Sequence, residues 1–399
     1  MNDIDLAKEH WGPRVLAREE IFAPGQKYDP ARYDQRFPEA EAKVRAGFRG
    51  LTSNGDVIPG LFQLRPTGSS LEHVRRALIA ILDSLGPTRS SQARLAIDEP
   101  AVHLWHGFFT RRLRHGVALE DMDTEQLRLV EALFEVSLSA KGARTVSDIR
   151  YTSQLIADLT GLFVDFGENV YWFSVLGDPT GSEPWGWQID GHHLNLTFVV
   201  VGDQVVMTPM FLGAEPTAIA TGPRAGLRMF DAEYNDGLAV FKSLTGSQRS
   251  LALIGEELSG VLTADVAAGP FQDNAEIPYM GITASNLDDE QRVLLTRLIG
   301  DYTAYLPSGH AALRQDEIAA HLEETSFAWI GSTDARPPFY FRVHSPVVII
   351  EYEHIYPVGL LGEGPSPNHV HTVVRTPNGN DYGRELIRLH RERFHRSPK

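Results

Sequence analysis

The sequence of 399 residues contains the same pattern of residues twice, and this repeat restricts the folds that the chain can adopt. Gly116 opens the string GVALEDMDTEQ, and Gly281 opens GITASNLDDEQ 165 residues later, so that glycine, acidic residues and glutamine recur at equal spacing. In each string an aspartate, Asp123 or Asp288, stands three residues before the glutamine, which is the arrangement of a helix capping box. Apolar residues follow at helical spacing. An internal repeat of this kind predicts two similar structural units.

Aromatic segments with strand character follow both copies of the helical signal. Residues 171–177 (YWFSVLG) are matched by residues 327–331 (FAWIG), and a second aromatic segment comes next in each copy. The string VVMTP at 205–209 recurs as VVRTP at 373–377. Aromatic and β-branched residues favour strands. We therefore predict an α+β fold that is internally duplicated, with two antiparallel β-meanders and flanking helices related by a pseudo-twofold axis.

The predicted boundaries follow from this repeat. Residues 1–70 are expected to form a helical and irregular lead-in, residues 71–215 the first α+β half and residues 216–399 the second, and the two halves are expected to make one compact unit. Within the second half we expect one strand over residues 339–352, with an edge position or a bulge at Pro346.

Composition and charge exclude several classes of function. The chain has no cysteine, so it cannot carry disulfides, iron–sulfur clusters or a catalytic thiol. Its 37 basic and 52 acidic residues give a formal net charge of -15, which would repel a nucleic-acid backbone. The apolar run from Leu194 to Val201 is far shorter than the roughly 20 residues that span a bilayer, and the first residues lack the apolar core of a secretory signal. We expect a soluble, cytoplasmic protein whose partner is a small-molecule substrate and neither nucleic acid nor a membrane.

Fifteen histidines in a chain without cysteine direct attention to imidazole ligands for zinc, copper or iron. The densest group consists of His354, His369 and His371. In a strand His369 and His371 point to one face with Cα atoms about 6.6 Å apart, which lets both rings reach one ion. If the second hairpin pairs like the first, His354 lies near the same end. We predict that this group binds a divalent metal ion; the alternative is that each histidine caps a turn or lies in a solvated loop.

A second candidate region is the string WGWQIDGHH at residues 185–193. Strand alternation allows one of His192 and His193 to enter a given site. His193 shares its parity with polar residues and is favoured as a metal ligand or acid/base group, but a bulge at Gly191 would reverse the choice. Asp190 is predicted to accept a hydrogen bond from an imidazole or to transfer protons, and its alternative role is an Asx turn.

Two charged residues and four aromatic ones complete the predicted site. Alternation places Arg375 on the face of His369 and His371, where its guanidinium would bind a substrate carboxylate; a surface salt bridge is the alternative. Glu351 is predicted to transfer protons. Aromatic residues of the paired strands are predicted to line a substrate pocket, although aromatic strand positions are more often ordinary core. They are Trp185, Trp187, Phe339 and Phe341.

Several strings resemble a bacterial and fungal family known only as a domain of unknown function, number thirty-five hundred of its series. They include EPWGWQIDGHHLN at residues 183–195, GDQVVMTP at 202–209 and HTVVRTPNGNDYG at 371–383, of which the last is long and specific. The resemblance extends over residues 50–395, approximately. It implies membership of the family and no particular activity.

The leading hypothesis is a metal-dependent enzyme with a histidine-rich site between the two halves. Its substrate is a small organic molecule, anionic if Arg375 binds it, and the reaction is left open between an oxidoreductase and a hydrolase or lyase. The alternatives are a metal-free protein that binds a small ligand in an aromatic pocket, and a metal-free acid/base hydrolase or lyase that uses Asp190 and His193. The predicted ligands of the zinc, copper or iron ion are His193, His354, His369 and His371.

Overall fold

The computed structural model of the protein describes residues 30–258, 266–333, 337–357 and 364–394. Within these residues thirteen β-strands join into one sheet, accompanied by ten α-helices. The strands are β1 (Arg94–Leu95), β2 (Val117–Ala118), β3 (Tyr171–Leu176), β4 (Trp185–Gly191), β5 (Leu194–Val201), β6 (Gln204–Val206), β7 (Met210–Ala214), β8 (Leu253–Gly255), β9 (Ile282–Thr283), β10 (Ser326–Gly331), β11 (Phe339–His344), β12 (Ile349–His354) and β13 (Val370–Arg375). The helices are α1 (Pro30–Arg45), α2 (Glu72–Ser84), α3 (Gly86–Ala93), α4 (Thr124–Ser137), α5 (Ala140–Thr160), α6 (Asp231–Ser243), α7 (Gly246–Ala252), α8 (Asp289–Thr303), α9 (Ser308–Ala319) and α10 (Arg384–Phe394).

Part of the predicted lead-in is among the described residues. Residues 1–29 lie outside them, residues 30–45 form α1, and residues 46–71 are irregular apart from an isolated bridge between Thr52 and Glu276. In the described parts of the chain, every helix is too short or too polar to cross a bilayer.

The order of strands across the sheet is similar when it is read from either edge. It runs β1-β3-β4-β5-β7-β13-β12-β11-β10-β8, with β2, β6 and β9 attached to β3, β5 and β10. The edge strands β1 and β8 lie parallel to their neighbours, whereas the other pairs are antiparallel. The strands β7 and β13 therefore meet at the centre of the sheet. The α+β class is confirmed, and the internal duplication with its axis stays a prediction.

Capping boxes begin the helices α4 and α8, as the sequence predicts. The Asp123 carboxylate accepts from the backbone N–H of Gln126 at 2.9 Å, and the Gln126 side chain accepts from the N–H of Asp123 at 3.1 Å. Asp288 and Gln291 repeat this arrangement at 2.9 Å and 3.0 Å. Each cap satisfies N–H groups that would otherwise lack partners, and is worth about 1 kcal/mol.

The segment predicted as one strand over residues 339–352 forms two antiparallel strands, β11 and β12. The turn between them is closed by a hydrogen bond from the Ser345 N–H to the Val348 carbonyl at 2.8 Å, and the Ser345 hydroxyl accepts from the next two free N–H groups. Pro346 lies in this turn, where its missing N–H interrupts no pairing. The prediction of an edge position or a bulge there was wrong.

The sheet has one apolar face and one polar face. Residues that pair across neighbouring strands point to the same side, and successive residues alternate. One row of paired residues, Gly213, His371, Glu353 and Tyr340, lies on the polar face. The opposite face carries aromatic pairs such as Phe341 and Tyr352, and helices including α4 and α6 pack on it. The polar face is covered by the segments 100–115, 266–275 and 376–383, which are irregular apart from short 3₁₀-helices at Pro100–Leu104 and Asp381–Gly383.

The four aromatic residues predicted to line a substrate pocket lie in the hydrophobic core. Trp187 stacks on Phe198 with ring centroids 5.4 Å apart and contacts Phe134 of α4 at 5.5 Å. Phe339 packs against Tyr234 of α6 at 4.9 Å. Trp185, Trp187, Phe339 and Phe341 are at most 2% exposed. Because they face the helices, they cannot also face the histidines on the polar side, and the pocket prediction is corrected to core packing.

Three carboxylates and one lysine meet between α5, α6 and α8. Lys141 donates to Glu233 at 2.8 Å, and Asp301 lies beside this pair with one buried oxygen that has no hydrogen-bond partner among the described residues. Burial raises the pKa of Asp301 to about 7, and the carboxylates of Glu233 and Asp236 add to the effect while Lys141 opposes it. Asp301 is therefore largely protonated below neutral pH in the folded state.

We expect Asp301→Asn to change how stability depends on pH. The folded pKa is above the unfolded value of about 3.9, so the stability that Asp301 contributes is present below pH 4 and is lost as the pH rises through 7. Asparagine resembles the protonated form, so the variant should match the wild type in Tm below about pH 4 and exceed it by a growing margin up to pH 8. Thermal unfolding of both proteins across this range, with the exposed Asp316→Asn of α9 as a control, measures the effect. A Tm difference that stays constant from pH 5 to pH 8 would contradict it.

Candidate metal centre

Three buried imidazoles converge where the central strands of the sheet meet. His193, His369 and His371 offer one nitrogen each, and these ligand atoms all lie within 4.8 Å of one another. The Nε2 atoms of His193 and His369 are 2.9 Å apart. The three residues are 2%, 1% and 5% exposed, so their nitrogens face one another and not solvent. All three were predicted as metal ligands from the sequence.

His193 reaches the group because it lies in a turn. The strands β4 and β5 are joined by the two residues His192 and His193, and Gly191 pairs with Leu194 across the hairpin. His193 adopts φ 61°, a left-handed conformation that costs a residue with a side chain about 1–3 kcal/mol. Its carbonyl accepts from the Gly213 N–H at 2.8 Å, which holds the turn against β7. Strained backbone of this kind is common at functional sites.

Hydrogen bonds fix which nitrogen of His369 and His371 faces the group. The Nδ1–H of His369 donates to the Tyr356 carbonyl at 2.6 Å. The Nδ1 of His371 lies 3.2 Å from a carboxylate oxygen of Glu353, which is fully buried. Both bonds leave Nε2 with its lone pair, the form that binds a metal ion. A carboxylate behind a ligand histidine also raises the basicity of its imidazole.

Burial keeps these imidazoles neutral. It lowers the pKa of His193 and of His369 well below the usual value, and the neighbouring imidazoles lower them further. Burial, with a smaller effect from His192, lowers the pKa of His371 to about 3. A protonated imidazole cannot bind a metal ion, so the neutral forms are those a ligand set needs.

Gly213 makes room for two of the rings. A Cβ atom built on this residue of β7 would lie 2.9 Å from the Cδ2 atoms of both His193 and His371, and 2.8 Å from the Val370 carbonyl oxygen. Sequence reasoning missed Gly213, although a glycine within the apolar string of β7 is a signal of close approach. It also missed Glu353, which alternation places beside His371 on the paired strand.

We expect Gly213→Ala to weaken metal binding by more than about tenfold and to lower stability by about 1–3 kcal/mol, because the new methyl group displaces two imidazoles and meets a carbonyl. Titration with Zn²⁺ and thermal unfolding measure the two effects. Gly246→Ala is the matched control, since nothing lies within 4 Å of a Cβ at that position. Equal metal affinity in the wild type and Gly213→Ala would show that the rings do not depend on this space.

His192 stacks on His193 with ring centroids 3.7 Å apart, but it is not in the group of three. Its ring lies edge-on against Phe166 at 4.7 Å, and its Nδ1 is buried without a hydrogen-bond partner among the described residues. Burial lowers its pKa well below the usual value. The sequence left open which of the two adjacent histidines enters the site, and the structure brings in His193.

His354 lies on the other face of the sheet. It follows the parity of Tyr352, whereas Glu353 shares the face of His371. Its ring nitrogens bond within the core, with Nδ1 accepting from the Phe339 N–H at 2.9 Å and Nε2 lying 3.2 Å from the Tyr352 hydroxyl. The expectation that it joins the other three is corrected, because proximity to the end of the hairpin does not bring it to the same face.

Asp190 pairs with an arginine and not with an imidazole. Its carboxylate accepts from Arg114 Nη1 at 2.6 Å and from the His106 N–H at 3.2 Å. Burial raises its pKa, and the Arg114 guanidinium partly offsets this. These contacts hold the segment after residue 105 on the sheet, which differs from the predicted acid/base role.

Glu351 anchors the loop that covers the polar face. It accepts from the N–H groups of Ala267 and Ala268 at 2.9 Å and 2.7 Å, and from the Tyr340 hydroxyl at 2.5 Å. Arg342 lies 3.6 Å away and compensates its charge. Since its oxygens are occupied by structural donors, the predicted role in proton transfer is corrected to loop attachment.

Arg375 shares the face of His371, as alternation predicts, but its guanidinium is enclosed. It pairs with Asp273 and Asp381 and donates to the Ala268 carbonyl at 2.8 Å, and it is fully buried. Every nitrogen of the guanidinium therefore has a protein acceptor. The predicted contact with a substrate carboxylate is corrected to a buried ion-pair cluster.

Comparison with known proteins identifies a family and nothing closer. The sequence profile of the family described as protein of unknown function (DUF3500) matches residues 67–384, which is more than half of the chain. No curated protein and no solved structure matches the chain. The protein therefore belongs to the DUF3500 family of proteins of unknown function.

Proposed function

We propose that the protein is a metal-dependent enzyme that acts on a small organic molecule at a centre formed by His193, His369 and His371. The observation that carries the proposal is the convergence of these three buried imidazoles within 4.8 Å. Nitrogen ligands bind zinc at about 2.0–2.1 Å, so rings at this separation need only small movements to surround one ion.

The donor set favours a catalytic ion over a structural one. Structural zinc sites are closed by four protein ligands, whereas catalytic sites use three and keep a position for water or substrate. Imidazoles without thiolates suit zinc, copper and iron alike. When bound, such an ion polarises a substrate oxygen, activates water or exchanges electrons, and these options correspond to a hydrolase, a lyase or an oxidoreductase.

The surrounding residues of the chain support chemistry in a water-poor space. Phe211 lies against His371 with ring centroids 5.0 Å apart, and Phe166 lies against His192. Apolar walls of this kind strengthen electrostatic interactions at the site. Glu353 and the Tyr356 carbonyl hold the two imidazoles of β13 in place. An anionic group on the substrate is not part of this proposal, because Arg375 is occupied by its own carboxylates.

Elemental analysis of tag-free protein, followed by a product-resolved substrate screen with metal added back, tests the proposal. We expect close to one zinc, copper or iron atom per chain, and turnover that disappears with a chelator and returns with that metal. A content below about 0.2 atoms per chain that added metal does not raise would overturn it, because a folded set of three neutral imidazoles should retain an ion.

We also propose that the two halves of the sheet arose by internal duplication. The support is the order of strands, the parallel edge strands β1 and β8, and the capping boxes at the start of α4 and α8. In addition, Thr208 and Thr376, which occupy equivalent positions in the repeated string, hydrogen bond to each other at 2.8 Å. Superposition of residues 94–214 on residues 253–375 in an experimental structure should align the strands in order, and strands that fail to align would contradict a common origin.

A further inference from the structure

A second cavity lies apart from the histidine cluster, between α1, the segment around residue 100, the loop 271–275 and the start of α10. Its volume is about 430 Å³, within the range of small-molecule sites. The walls combine apolar side chains with two cations and two carboxylates. The lining residues that matter below are Lys43, Phe48, Asp98, His103, Asp273 and Arg384.

The carboxylates of this cavity already have cationic partners. Asp273 pairs with Arg375 and lies 2.7 Å from His103 Nδ1. Asp98 lies 3.4 Å from Arg391. Within the described residues, by contrast, neither Lys43 nor Arg384 has a carboxylate within ion-pair distance, and Lys43 contacts only the neutral side chain of Gln272 at 3.4 Å. The cavity therefore contains two cations that form no ion pair within the described residues, in a protein of formal net charge -15.

Arg384 lies in the wall of the cavity and has one nitrogen without a hydrogen-bond partner among the described residues. Its Nη2 donates to His103 Nε2 at 2.8 Å, and its Cζ lies 5.8 Å from the centre of the Phe48 ring. The Nε–H is buried and has no acceptor among the described residues. Burial of this guanidinium costs free energy, which Asp98 and Asp273 offset in part. An anion in the cavity would reduce the remaining cost.

We propose that this cavity binds a small organic anion, a carboxylic acid with an apolar or aromatic body, whose carboxylate pairs with Arg384 and Lys43. The apolar walls, which include Phe48, Phe271 and Pro100, match the body of such a molecule. An inorganic anion would leave these walls without a partner, so the body contributes to recognition as well as the charge.

The cavity is separate from the metal centre. His103, in the cavity wall, contacts the ring of Tyr382, whose hydroxyl accepts from Trp105 Nε1 at 2.8 Å. Trp105 in turn contacts Phe211, and Phe211 contacts His371 of the candidate metal centre. Tyr382, Trp105 and Phe211 therefore lie between the cavity and the three histidines. Binding of the anion should therefore not require an ion at the three histidines.

Calorimetric titration with 3-phenylpropionate tests the proposal, and 3-phenylpropanamide serves as the neutral probe of equal shape. We expect saturable binding of one carboxylate per chain with a Kd below about 1 mM, and affinity for the amide at least about tenfold lower. Arg384→Gln should weaken carboxylate binding at least about tenfold, while Arg388→Gln, on the exposed side of the same helix, should change it less than about twofold. Lys43→Gln, an exposed position that does not endanger folding, should weaken it about threefold.

Three results would overturn the proposal: equal affinity for acid and amide, no saturable binding of the acid up to about 10 mM, or unchanged affinity in both Arg384→Gln and Lys43→Gln. The titration is repeated with His369→Ala and with chelated protein. Unchanged affinity there supports a site independent of the metal, whereas loss of binding in both would mean that the carboxylate binds at the metal centre and not in this cavity.

Discussion

Replacing His369 by alanine is expected to lower the affinity of the proposed centre for a divalent metal ion by about a hundredfold or more. The substitution removes one of three imidazoles and leaves two, and loss even of an outer hydrogen-bond partner at a metal site costs about 10–100-fold. The measurement is a competition titration against a coloured chelator with Zn²⁺, Cu²⁺ and Fe²⁺. His371→Ala should behave in the same way.

Two other histidines serve as controls for this prediction. His344 is equally buried but lies outside the group of three, and His354 lies on the opposite face of the sheet. His344→Ala and His354→Ala should each retain metal affinity within about threefold of the wild type. If His354→Ala loses the ion and His369→Ala retains it, the centre has been assigned to the wrong residues.

Replacing Arg375 by methionine is expected to destabilise the fold by about 3–5 kcal/mol, because the carboxylates of Asp273 and Asp381 then stay buried without their cation. Urea unfolding measures the loss. Arg388→Met provides the control: this arginine is half exposed and pairs with Glu385 and Glu392 on its own helix, so its loss should cost less than about 1 kcal/mol.

The same variant distinguishes a structural arginine from one that binds substrate. If Arg375 bound a substrate carboxylate, its replacement would raise KM and leave the urea midpoint near that of the wild type. If the Arg375→Met protein has the same urea midpoint as the wild type, the assignment of Arg375 to a stabilising buried ion pair is contradicted. The double variant Arg375→Met with Asp381→Asn should recover part of the lost stability, since it removes one of the two unpaired charges.

Much of the candidate metal centre could be predicted from sequence because alternation along a strand is a local property. The spacing of His369 and His371 alone puts both rings on one face, and the absence of cysteine narrows the ligand chemistry. The capping boxes at Asp123 and Asp288 are equally local, since their partners are three residues away. These features needed no knowledge of which strands are neighbours.

The predictions that differ from the structure concern the register of paired strands and the loops that pack on the polar face of the sheet. Both depend on distant parts of the chain. Whether His354 faces the same side as His371 is decided by the pairing of β12 with β13, and a shift of one residue reverses it. The partners of Glu351 and Arg375 come from the loop 266–275 and from Asp381. No local sequence pattern predicts that this loop packs on the polar face. Glu351 and Arg375, whose contacts stabilise the fold, were therefore predicted to act on a substrate.

His193 and His369, whose Nε2 atoms are 2.9 Å apart, are separated by 176 positions in the sequence. His193 lies in the turn before β5, and His369 directly precedes β13. An ion held there would cross-link two segments that are distant in the sequence and that meet at the centre of the sheet. Its binding free energy adds to the resistance of the whole sheet against unfolding, because the ligand set is dispersed once the strands separate. If the centre binds an ion as proposed, scarcity of that ion in a cell would shorten the lifetime of the protein.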